Sequence, residues 1–194
     1  TMKHHFRDDY SSYHVIDYDT TTGAVRNKHT AQGFAHESAW SRGQAWGLYG
    51  YVLMYRDTKD PVYLAQANHI ADYILNHPHL PKDGIPYWDF DADNIPNAKR
   101  DASAAAVIAS ALLELQQYVD AQASTKYMNA AELMLRSLAS AAYKAEAGEN
   151  GGFILLHSVG HLNAKSEVDV PLTYADYYYV EALMRYKQLL AKKG

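Results

Sequence analysis

After residue 36 the sequence is built of helix-period segments of two alternating kinds, and this alternation limits the possible folds more than any other feature. The first segment runs from about Trp40 to Tyr55, with Arg42 as its single charge and Trp40, Trp46, Leu48, Tyr49, Val52 and Leu53 as apolar positions. A helix so poor in charge is expected to be buried on most sides. The next is amphipathic. Asp60-Pro61 supplies an N-cap acid and a proline at the first helical position, Tyr63, Ala67, Ile70 and Ile74 form one face, and Asn76-His77-Pro78 ends it. Asp101 to about Val119 is again charge-poor until Glu114, with Ala104, Val107, Ile108, Ala111, Leu112 and Leu115 as a stripe. Ser124 opens a fourth, half-exposed helix with Tyr127, Ala131, Met134, Leu135 and Leu138 on one face and Lys126, Glu132 and Arg136 elsewhere. Thr173 with Asp176 three residues on resembles a capping box and opens a final helix through Tyr177, Val180, Leu183, Met184 and Leu190.

Buried and half-exposed helices thus recur in pairs, with long loops before each buried one. Arg42 and Ser103 are 61 residues apart, Ser103 and Ala175 72. This predicts an all-α architecture, an α/α toroid with an inner and an outer ring. A closed double ring of six pairs needs twelve helices, and the sequence supplies five. The chain therefore reads as about half of such a ring: either the rest is missing from this chain, or a partner supplies it. The first 35 residues predict irregular or β-type structure, with weak alternation over Tyr13–Tyr18 and a turn at Thr20–Gly23. Phe153–Leu156 predicts a short extended run.

Composition excludes several classes. The 194 residues carry 18 Lys+Arg against 22 Asp+Glu, a formal charge of −4, and no basic stripe suited to nucleic acid. Cysteine is absent, so no disulfide scaffold, thiolate metal site or cysteine nucleophile exists. No stretch approaches the roughly 18 apolar residues of a membrane span, and no signal-peptide core opens the chain. Localisation stays open between cytoplasm and periplasm. Tyrosine is 17 of the 24 aromatics. A phenol offers a flat apolar face and a polar tip, which suits either helix packing or a cleft for a sugar.

Arg42 is the one charge on a helix that otherwise looks internal, and a buried guanidinium needs an anionic partner. Two readings stand: a salt bridge to an acid elsewhere in the chain, or a fork gripping a ligand carboxylate. Trp40 and Trp46 flank it, Trp46 one turn along. His36, Glu37, His14, Asp17 and Asp19 match no metal-binding spacing, so neither a metal nor a cofactor is expected. Asp89 and Asp91 read as turn and cap residues before a carboxylate pair, and Asp101 as an N-cap.

The string Ser38-Ala39-Trp40-Ser41-Arg42-Gly43-Gln44-Ala45-Trp46-Gly47-Leu48-Tyr49-Gly50 resembles glycoside hydrolase family 88, the unsaturated glucuronyl hydrolases. So do Ser11–Tyr18, Pro86–Asp91, Asp101–Ala106 and Ser166–Tyr177. The resemblance runs nearly end to end. It implies an (α/α)6 toroid of which residues 1–194 form the C-terminal part of a single catalytic domain. It implies removal of a 4,5-unsaturated uronic acid from the non-reducing end of lyase-generated, glycosaminoglycan-type oligosaccharides. In that chemistry an aspartic acid protonates the vinyl ether, water adds at C5 and the hemiketal opens, unlike direct displacement at the anomeric carbon.

By matching position, the resemblance makes His14, Gln32, Trp40, Arg42, Trp46 and Ser158 substrate-site residues. Gln32 would bind sugar hydroxyls, the tryptophans would stack on sugars or wall the pocket, and Arg42 would place positive charge near the uronate. Some relatives carry Ser-x-x-Ser-x-Lys where this chain has Ser158, His161 and Asn163, and those favour sulfated substrates; unsulfated or differently sulfated disaccharides are expected here. The family's catalytic aspartates lie upstream of the Tyr-His-Val string, so they are expected before Thr1, and the 194-residue chain alone is expected to be inactive. The N-terminal half of the toroid is the expected partner, with no nucleic acid and no membrane span. Rival readings are a related hydrolase of unsaturated rhamnogalacturonan from pectin, and a non-catalytic carbohydrate-binding toroid.

Overall fold

The computed structural model describes residues 2–191. Element order is α1 (Met2–His5), β1 (Val15–Tyr18), β2 (Val25–His29), α2 (Ser41–Thr58), α3 (Pro61–Asn76), α4 (Ala102–Leu115), α5 (Ala121–Leu138), a 3-10 turn at Asn150–Gly152, β3 (Ser158–His161), β4 (Ser166–Val170) and α6 (Thr173–Ala191). Helix α4 is the centre, and all of its residues are buried. It packs on α2, α5 and α6, while α3 packs on α2. The charge-poor helices α2, α4 and α6 are therefore the inner layer, and α3 and α5 the outer one. The architecture is about half of an α/α toroid.

Local chemistry sets the helix ends. Lys59 closes α2 in the left-handed region (φ 58°), its N–H bonding the Tyr55 carbonyl. Asp60 then caps α3 by accepting from the Val62 N–H at 3.0 Å, with Pro61 behind it. This two-residue connection turns the chain straight back on itself. Asp101 caps α4 through the Ser103 N–H. Two expected helix starts differ. Helix α5 begins at Ala121, not Ser124, because Asp120 is the better-placed cap, accepting from the Ala123 N–H; the Ser124 hydroxyl instead donates to Gln116. The Thr173–Asp176 capping box does not form, because Asp176 accepts from the N–H groups of Ile154 and Leu155 at 2.7 and 2.9 Å and anchors the preceding loop.

The N-terminal region contains the expected β-type structure. Strands β1 and β2 pair antiparallel around a turn in which Asp19 accepts from the Thr21 and Thr22 N–H groups. The short α1 was not anticipated. Nor was the β3–β4 hairpin, whose strand β4 has Glu167 and Asp169 at positive φ and so lacks ordinary strand alternation. Phe153–Leu156 is not a strand; only Leu155 bridges, to Lys144. Among the described residues no helix is long and apolar enough to cross a membrane.

Candidate functional site

Four of the six predicted residues meet where the N-terminal ends of α2 and α4 approach the β3–β4 hairpin and the 30–33 loop. Two backbone hydrogen bonds determine the state of His14. The Ala31 and Gln32 N–H groups both donate to its Nδ1 at 3.1 Å. With Nδ1 accepting, the ring proton sits on Nε2. Burial, and next the Arg42 charge with His161 and His29, lowers the His14 pKa to about 4. At neutral pH His14 is an uncharged donor. Its ring lies against Trp40, with centroids 4.4 Å apart.

Gln32 is held on both sides. Its N–H goes to His14, and its Nε2 donates to the Gly160 carbonyl at 2.8 Å, which leaves Oε1 as the remaining acceptor of the side chain. Trp40 is 7% exposed. His14 is set against its ring, and the Arg42 guanidinium stands over it at 4.4 Å. Within this chain the Trp40 ring is thus largely covered, by His14 and by the Arg42 guanidinium.

Arg42 has an internal partner. It is 2% exposed, and Nη1 lies 2.7 Å from Asp101 Oδ2. Nη1 also donates to the Val159 carbonyl and Nη2 to Gly160 O at 2.6 Å. Both Nη atoms are engaged within the chain, so the structure has the internal salt bridge and not the ligand fork. The Gly160 carbonyl receives both Arg42 and Gln32. The buried ion pair therefore fixes the hairpin strand against which Gln32 is aimed. Tyr174, at the start of α6, stands over the other side of the guanidinium at 5.5 Å.

Trp46 lies apart from this cluster. It packs on Tyr174 and Tyr178 at 6.2 and 5.1 Å, and otherwise borders an apolar groove with Met2, Gly50 and Met54. Ser158 is placed behind the site, not on its lining. It is fully buried, and its Oγ has no hydrogen-bond partner.

Asp89 and Asp91 are structural, as turn residues. Asp89 accepts from the Phe34 and Asp91 N–H groups and the Ser38 hydroxyl, and Asp91 from the Ala39 N–H. Burial raises the Asp89 pKa despite those bonds. A cavity of about 630 Å³ opens between the 34–38 loop and the end of α3, beside Arg7, Tyr73 and His77; none of the six predicted residues lines it. Among the described residues no group of three or more His, Asp or Glu side chains is placed to hold a metal ion.

Sequence reasoning missed the double duty of Asp101 and the parts played by Gly160 and Tyr174. A signal for Asp101 existed: it is the cap of the next charge-poor helix, and a buried arginine on α2 needs an acid on a neighbouring inner helix.

The fold and site together define half of a helical toroid with a polar–aromatic site at the N-terminal ends of its inner helices. No family model matches the chain. It is 49% identical over 192 residues to an unsaturated glucuronyl hydrolase from Formosa agariphila, covering 99% of this chain and 47% of that protein. It superposes with a TM-score of 0.96 and 57% identity on a crystal structure of an unsaturated glucuronyl hydrolase specific for heparin, covering 98% of this chain and 51% of that one. A mutant unsaturated glucuronyl hydrolase from Streptococcus agalactiae, complexed with dGlcA-GalNAc6S, matches with a TM-score of 0.80 and 37% identity, over 94% of this chain and 48% of that one. The chain belongs to the unsaturated glucuronyl hydrolases, glycoside hydrolase family 88. It spans about half the length of the relatives it matches.

Proposed function

We propose that the protein containing this chain removes a 4,5-unsaturated uronic acid from lyase-generated glycosaminoglycan disaccharides, those of heparin type first. The observation that supports this most is the constellation of a neutral His14 donating from Nε2, a Gln32 turned to accept, and Trp40 as the wall beside them. A donor and an acceptor side by side on an aromatic wall suit a ring with hydroxyls and a carboxylate. The 57% identity to a heparin-specific hydrolase favours the heparin-type substrate. Asn163 is uncharged, and its amide is spent on the Ala31 and Gly33 carbonyls, which favours an unsulfated sugar near the hairpin.

The reaction needs an acid that is still protonated when substrate arrives, to protonate C4 of the vinyl ether while water adds at C5. We assign that acid to an aspartate outside this chain. In this reading residues 1–194 are the C-terminal part of one toroid domain, and the other half closes against α6 and α2. Tyr177 and Met184 on α6 are 60% and 58% exposed, and Met54 on α2 is 43% exposed, an apolar surface of the kind that partners cover. Arg42 lies behind the substrate surface and positions it through the Gly160 carbonyl, and Ser158 is buried behind the same surface. Trp46 stands at the edge toward the other half.

The test is to incubate the full-length protein with unsaturated disaccharides of heparin, chondroitin and rhamnogalacturonan type and follow the ultraviolet absorbance of the C4=C5 bond. Fastest loss with the heparin type is expected. Loss with the rhamnogalacturonan type alone contradicts the substrate class, and binding without loss contradicts the enzyme.

A further inference from the structure

We infer that Asn163 is a positioning residue, whose side-chain amide holds the 31–33 loop so that Gln32 is aimed and the proton of His14 is kept on Nε2. Asn163 is an exposed residue in the turn joining β3 to β4, a turn closed by the Lys165 N–H on the Leu162 carbonyl. An exposed asparagine ordinarily spends its amide on water. Here Nδ2 donates to Gly33 O at 2.6 Å and to Ala31 O at 3.1 Å. These are the carbonyls on either side of Gln32.

Two N–H groups of the same stretch, those of Ala31 and Gln32, donate the other way to His14 Nδ1, while the Gly33 N–H donates to the Thr30 hydroxyl. One loop therefore carries two sets of bonds, carbonyls to the hairpin tip and amides to the histidine. The Gln32 side chain adds a second tie to that hairpin at Gly160. Without the Asn163 amide the loop keeps one tie to the hairpin, Gln32 Nε2 on Gly160 O, and gains freedom to leave the imidazole. The ring would then lose both N–H donors and gain water. Both changes favour the protonated form. The charged and titratable groups facing His14 are Arg42, His161 and His29, and an uncharged residue in place of Asn163 adds none to them.

That Gln32 and His14 meet substrate rests on the function proposed above; the hold itself does not. The experiment uses the full-length protein with labelled histidine, comparing Asn163→Leu and Asn163→Ala with Lys165→Ala on the same turn. Leucine keeps the branched shape, cannot donate and, like alanine, adds no charge near His14. The His14 ring is titrated by NMR and steady-state kinetics are measured. In both Asn163 variants the His14 pKa is expected to rise from about 4 toward 6.5, by about one unit. KM is expected to rise about tenfold with kcat changed less than about threefold, and Lys165→Ala to do neither. Because Asn163 is on the surface, melting temperatures should stay within a few degrees of the parent. An unchanged His14 titration in both variants overturns the inference. So does a rise in KM without that change. If the parent protein hydrolyses nothing, the function falls, and the titration alone still decides the hold.

Discussion

Asp101 Oδ2 lies 2.7 Å from Arg42 Nη1, and the other oxygen of the same carboxylate caps α4 through the Ser103 N–H and hydroxyl. One buried acid therefore ties two inner helices together at the end where the site lies. Its two jobs separate by mutation. Asparagine caps as well as aspartate but carries no charge.

Asp101→Asn in the full-length protein should cost about 3–5 kcal/mol, because it leaves the Arg42 charge buried and unpaired. Asp101→Ala should cost about 1 kcal/mol more through the lost cap. The double change Arg42→Met with Asp101→Asn should recover much of the loss, since no buried charge remains. Urea midpoints at constant m-value give all three. A harmless Asp101→Asn would mean that the guanidinium is not held by this acid.

Gly160 is required by close approach and not by its dihedral angle. A Cβ added there would sit 2.5 Å from the Glu167 Cβ. Gly160→Ala should destabilise by about 1–3 kcal/mol and move the carbonyl that holds Arg42 and Gln32. Adding Glu167→Gly removes the opposing Cβ and relaxes a residue at φ 54°, so the double variant should regain most of the stability. Thermal melts of the two single variants and the pair check this.

His14 gives a pH signature. Its folded pKa of about 4 lies below the unfolded value near 6.5. Between those values the unfolded chain binds a proton that the folded one does not. Stability therefore falls as pH drops from 6.5 to 4, with His14 supplying about 1–2 kcal/mol of the fall once its partial exposure is counted. His14→Asn, whose Oδ1 can take the Ala31 and Gln32 N–H groups, should flatten the curve in that window only. Burial also lowers His77 and His5, so the comparison is the difference between variant and parent.

Met184 tests the closing of the ring. It is exposed on α6, and a lysine at an exposed position changes stability by no more than about 0.5 kcal/mol. If the other half covers it, Met184→Lys in the full-length protein should cost about 2 kcal/mol or more. A neutral substitution would leave the α6 face uncovered in the whole protein.

The inner and outer layers were legible because burial on all sides removes charge, and α2 and α4 show that directly. The Asp60-Pro61 and Asp101 caps were legible for local reasons. The start of α5 was missed because Asp120 and Ser124 are both good caps four residues apart, and packing decides between them. Asp176 looked like a capping-box acid until the 154–155 loop took it. The β3–β4 hairpin was hidden because its strands are only four and five residues long and the turn between them, Leu162–Lys165, contains no glycine or proline to mark it. His14, Gln32, Trp40 and Arg42 were gathered by likeness to a family. Periodicity alone could not place a loop at residue 32 beside a hairpin at residue 160. The partner of Arg42 was foreseen as one of two alternatives, and the structure has the internal one.

The most direct measurement of the central claim follows the C4=C5 absorbance of an unsaturated heparin-type disaccharide with two preparations, the full-length protein and the 194-residue chain alone. The account predicts steady loss with the full-length protein and none with the isolated chain, because it assigns the proton donor to the other half. Turnover by the isolated chain, or none by the full-length protein, would contradict it.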